Sequence, residues 1–147
     1  MALPKEKNPY NQYKETQVAT ANQGKLIVML YDGAIKFLNI AIENMDSPKT
    51  FDIANNNIIK AQDIITELLI SLNMKEGGEI SQNLFNLYMY FKKQLLEANI
   101  KKDSEVLKPV LTMIKSLREA WEQISANEAK SDKIGNVGSK GSFSVEG

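Results

Sequence analysis

The stretch "MLYDGAIKFL", residues 29–38, decides the fold. Its Asp32-Gly33 pair is a strong hairpin signal when alternating apolar residues flank it. Here they do not alternate. Leu26, Leu30, Gly33, Phe37 and Ile40 follow steps of four and three, which mark one face of a helix. A second seam, Ile27, Tyr31, Ala34, Leu38 and Ile42, runs beside it and makes the apolar arc wide. The stretch therefore reads as a helix over residues 23–45, with Asn22 as its N-cap. Gly33 costs that helix about 1 kcal/mol against alanine. Its place on the first seam predicts the compensation, because a residue without Cβ lets a neighbouring backbone approach closely. Asp32 lies off that face, four residues before Lys36, and the pair supports a helix.

Working outward, three more segments repeat the pattern. After "DSPKT", Ala54, Ile58, Ala61, Ile65, Leu68 and Leu72 form a second helix ending near Asn73, widened by Ile59, Ile64, Leu69 and Ile70. "KEGGE" breaks it, with Gly77 available as a C-terminal residue. A third helix, over residues 80–99, carries Ile80, Leu84, Leu87, Phe91, Leu95 and Ala98 on its seam, with Phe85, Tyr88, Met89 and Leu96 outside it. In the fourth, Asp103 is the expected N-cap, and Leu107, Val110, Ile114, Leu117, Trp121 and Ile124 make the seam. Trp121 is expected in the core. Pro109 predicts either a late start at that residue or a bend there.

Helices of about twenty residues span roughly 30 Å, and four of them on short links favour an antiparallel up-down four-helix bundle. The fold class is all-α. The expected organisation is an irregular leader at residues 1–21, the bundle at 22–126, and a Gly/Ser/charge-rich flexible tail at 127–147.

Composition removes several function classes. The 147 residues hold no cysteine and no histidine. Disulfides, thiolate or imidazole metal sites and Ser-His-Asp or Cys-His nucleophiles are therefore out of reach, and no acidic pair stands out for acid-base work. The expected protein is not an enzyme and uses no cofactor. Formal net charge is zero, with 18 basic and 18 acidic residues, so nucleic acid is not an expected partner. No apolar run suits membrane insertion and residues 1–20 lack a signal-peptide core, which predicts a cytoplasmic location.

The wide apolar arcs admit two readings. Ile27, Tyr31, Ile59, Leu69, Phe85 and Tyr88 either flank the core or line a long apolar groove for a partner. In the leader, Tyr10 and Tyr13 follow Asn8-Pro9 and are either solvated or docked on that groove.

Taken in order, "NPYNQY", "LIVMLYDGAIKFLNIAI", "IIKAQDIITELLISLN", "GGEISQNLFNLYMYFKKQLLEANIKKD" and "LREAW" make the chain resemble the flagellar secretion chaperone FliS family over roughly residues 8–124. The resemblance implies a cytoplasmic chaperone that binds the disordered C-terminal segment of flagellin. It would prevent premature polymerisation and assist delivery to an export-gate protein of the flagellar type III apparatus. The resemblance also implies that Asn8, Pro9, Tyr10 and Tyr13 lie over part of the client surface. An alternative is a regulatory bundle that binds a transcription or translation factor. The sequence leaves a homodimer open.

Overall fold

In the computed structural model, which describes the backbone of residues 23–138 and the side chains of residues 23–127, the glycine of "LYDGA" stands inside a 21-residue helix, α1 (Gln23–Glu43). A 3-10 turn (Pro48–Thr50) leads into α2 (Phe51–Ser71), followed by α3 (Gly78–Lys101) and α4 (Ser104–Gly138). The fold is an all-α four-helix bundle, with no strand among the described residues.

The links explain themselves locally. Thr50 ends the first by donating its hydroxyl to the carbonyls of Asn44 and Ser47 at 2.9 and 3.2 Å. At the second link, the Gly77 amide and the Ser81 hydroxyl both donate to the Asn73 carbonyl, at 2.8 and 3.0 Å. Gly77 thus serves the start of α3, not the end of α2 expected from the sequence. A Cβ on it would lie 2.7 Å from the Asn73 carbonyl oxygen. Gly78 takes a left-handed φ of 57°, open to glycine without strain. Asp103 caps α4 as expected, its carboxylate accepting from the Glu105 amide at 2.9 Å. The helix starts at Ser104, so Pro109 lies in its interior rather than at its first position, and the Glu105 carbonyl loses that donor.

The described chain divides into two compact units, one being Met29–Arg118 and the other residues 23–28 with 119–138. In the larger unit all four helices meet around Tyr31, Leu38, Ile58, Ile65, Phe91, Leu95, Leu107 and Ile114, each buried. On α1 the deeper seam is the second one, Tyr31, Ala34 and Leu38, continued by Ala41 and Met45. Gly33 faces α2, where a Cβ would come 2.9 Å from Ile64 Cδ1. The close neighbour is a side chain, not the backbone that the seam position suggested. Asp32 accepts from Arg118 Nε on α4 at 2.7 Å, in place of the expected partner Lys36.

In the smaller unit, Gly24 is buried against Ser125, whose Cβ would stand 3.2 Å from a Cβ at Gly24. Ser125 is buried there and Ile124 is exposed, which moves the expected seam of α4 by one residue. Trp121 is half-buried rather than in the core. The helix continues to Gly138, past the Ala126 boundary. Residues 127–138 include Glu128, Ala129, Lys130 and Lys133, good helix formers that extend a helix without an apolar seam.

Candidate functional site

α2 and α3 pack side by side, and their polar bonds fix direction and register. Gln62 donates through Nε2 to the Lys92 carbonyl at 3.1 Å, and Asn99 through Nδ2 to Asn55 Oδ1 at 2.7 Å. As the chain advances from 55 to 62 on α2, its neighbour on α3 retreats from 99 to 92, so the two helices are antiparallel. This register sets Ile59 level with the turn carrying Leu96, and Ile70 level with the turn carrying Phe85.

These residues are the ones left outside. Ile59 is 47% exposed, Ile70 69%, Phe85 37% and Leu96 56%. Met89 and Ile100 are exposed as well. On α3 the four residues Phe85, Met89, Leu96 and Ile100 follow steps of four, seven and four, one stripe of a helix separate from the buried seam. The outer face of α2 and α3 is thus apolar along most of the length of α3. Monomeric proteins seldom leave contiguous apolar strips without a partner.

The other expected site residues have different places. Tyr31 and Tyr88 are brought together, but in the core, where their hydroxyls share a hydrogen bond. Burial pushes the Tyr88 phenol above its ordinary pKa, and the bond to Tyr31 only partly opposes this. Neither can line a surface groove. The misplacement arose on α3, where the seam read from Ile80 and Leu87 is in fact Ser81, Tyr88, Phe91, Leu95 and Ala98. A hydroxyl at each of the first two positions finds a partner, the Asn73 carbonyl for Ser81 and the buried Tyr31 for Tyr88, which apolarity alone does not reveal. Ile80 is instead 70% exposed. Ile27 is buried within the smaller unit, and Leu69 is half-buried on α2. Asn8, Pro9, Tyr10 and Tyr13, like the cap Asn22, lie outside the described residues.

Comparison with known proteins places the chain in a family. The family described as "Flagellar protein FliS" matches residues 6–128. The chain belongs to the FliS family. It is 40% identical over 134 residues to the flagellar secretion chaperone FliS of Bacillus subtilis, covering 89% of this chain and 96% of that one. The FliS of Salmonella typhimurium is 35% identical over 116 residues, 76% of this chain and 82% of its own. That of Vibrio cholerae is 34% identical over 113 residues, 75% and 80%.

Within this FliS-family chain, the outer face of α2 and α3 presents exposed apolar side chains. No group of three or more acidic side chains could hold a metal ion among the described residues. No described helix is long and apolar enough to cross a membrane. Met89 and Leu96, read from the sequence as lying outside the seam, and Ile100 were not among the expected site residues, although their spacing with Phe85 is visible in the sequence.

Proposed function

We propose that this flagellar secretion chaperone binds the C-terminal segment of flagellin on the outer face of α2 and α3. The exposed apolar stripe Phe85, Met89, Leu96 and Ile100, beside Ile59 and Ile70, carries the reading. A segment without fixed structure forms an amphipathic helix and buries its apolar side against such a strip. Covered in this way, that side is withheld from other flagellin copies, so assembly is delayed until export. The complex works in the cytoplasm and hands the client to an export-gate protein. The physical work is association and release; no bond in the client changes.

The test is co-purification and titration calorimetry with full-length flagellin and with flagellin lacking its C-terminal segment. Binding only to the former, with a negative heat-capacity change, is the expected result. Equal binding of both forms would refute the segment assignment. Failure to bind either would refute the flagellin reading.

A further inference from the structure

The apolar strip has a cation at its middle. Lys92 lies on α3 between the level of Ile59 and Leu96 and that of Ile70 and Phe85. Its half-buried ammonium points across to α2, where it donates to Thr66 Oγ1 at 2.7 Å and reaches the Gln62 carbonyl at 3.5 Å. Both acceptors are neutral. The Gln62 carbonyl already accepts from the Thr66 hydroxyl at 3.0 Å. Among the described residues no carboxylate pairs with Lys92. The same cluster contains the buried Gln62 Oε1, which has no hydrogen-bond partner among the described residues.

An ammonium has three donors, and this one uses two on neutral oxygens. When a client covers the strip, the charge is removed further from water. That is unfavourable unless the client supplies a counter-charge. We propose that Lys92 reads a side-chain carboxylate in the middle of the bound segment, flanked by the apolar residues that cover the strip on either side. A chain-terminal carboxylate fits less well, because a segment ending at Lys92 would leave half of the strip bare. The inference rests on the flagellin reading and deepens it. The apolar strip gives contact area, and Lys92 fixes the register by accepting one alignment of acid and cation and disfavouring the others.

The experiment uses the full chain, full-length flagellin and Lys92→Met, with thermal unfolding as the control for folding. Lys92→Met is expected to weaken binding about tenfold to a hundredfold, the range of a charge-assisted bond in a partly dry site, and to flatten the salt dependence of affinity. Flagellin variants with each Asp or Glu of the C-terminal segment changed singly to Asn or Gln identify the partner. One of them should bind wild-type chaperone as weakly as Lys92→Met binds wild-type flagellin, with no further loss when the two changes are combined. Unchanged affinity and salt dependence in Lys92→Met would overturn the proposal while leaving the flagellin reading intact. So would a loss reproduced only by amidating the flagellin C-terminus. If wild-type chaperone does not bind flagellin, the underlying reading itself fails.

Discussion

α1 and α3 each carry more apolar residues than one packing seam requires, and they use them in opposite ways. On α1 the second seam turns inward, so that Tyr31, Ala34 and Leu38 are fully buried. On α3 the extra residues turn outward as Phe85, Met89, Leu96 and Ile100. The difference lies in what each helix meets. The hydroxyl of Tyr31 needs a buried partner and finds it in Tyr88, so one aromatic from each helix is held inside. Among the described residues nothing comparable binds the outer stripe of α3, where one flank is the polar row Lys92 and Asn99 bonded to α2. A wide apolar arc therefore announces that a helix has two faces to bury. It does not say whether its own chain buries the second.

The comparison breaks most sharply at Tyr88. Tyr88→Asp puts a carboxylate at a fully buried position, and the expected result is loss of cooperative folding, at a cost of roughly 3–5 kcal/mol. A far-UV circular dichroism melt checks this. A variant that melts like wild type would show that Tyr88 is on the surface after all. The milder Tyr88→Phe should cost about 1 kcal/mol, much of it regained when Tyr31→Phe is added.

On the outer face the sign pattern reverses. Leu96→Glu should lower flagellin affinity at least tenfold, while stability changes by no more than about 0.5 kcal/mol because the residue is largely exposed. Calorimetry beside a denaturant titration separates the two, and a loss of stability without loss of binding would move α3's stripe into the same class as α1's.

Gly33 sharpens the account of α1. Gly33→Leu is expected to cost about 1–3 kcal/mol although leucine is the better helix former, since even a Cβ meets Ile64 Cδ1 at 2.9 Å. Gly33→Ala should be nearly neutral, because helix propensity offsets the contact, and it should become stabilising when Ile64→Val removes that methyl. A midpoint unchanged in Gly33→Leu would mean that Ile64 moves aside freely. The smallest effect is expected from ending the chain at Ala126. Helix content should fall with the lost turns of α4, whereas the thermal midpoint should move by no more than about 2–4 °C, the shift produced by less than 1 kcal/mol.

Much of the fold was legible in residue spacing. Four periodic segments, the Asp103 cap and the "DSPKT" and "KEGGE" breaks place every helix start to within a few residues of its observed position. Helix ends without a seam were not legible, as α4 beyond Ala126 demonstrates, because backbone bonds extend a helix where no core residue marks it. For the site, spacing supplied the candidates but not their direction. Phe85 and Ile59 point outward and Tyr31 and Tyr88 inward, and the deciding fact is a bond between hydroxyls 57 residues apart. No local pattern encodes such a pair. The role of Asp32 was hidden for the same reason, since Arg118 stands 86 residues away while Lys36 is next on the helix.

The joint between α3 and α4 has a consequence for the order of folding. Only Lys102 and Asp103 separate the two helices, and Lys102 holds a left-handed φ of 51°. Its ammonium donates to the carbonyl and side-chain oxygens of Asn99 at 2.8 and 2.7 Å and stands 5.5 Å from the centre of the Phe51 ring on α2. Closing so short a loop loses little chain entropy, so this corner is expected to assemble before any contact that spans the whole bundle. α2 joins through Phe51 and the Asn55–Asn99 bond, and α1 docks last, when Tyr31 meets Tyr88. In rate measurements, Asn99→Ala should slow folding, whereas Tyr31→Phe should leave folding unchanged and speed unfolding. A nascent chain would then have to emerge past α3 and the first turns of α4 before the corner closes, so α1, the first helix synthesised, would be the last to find its place.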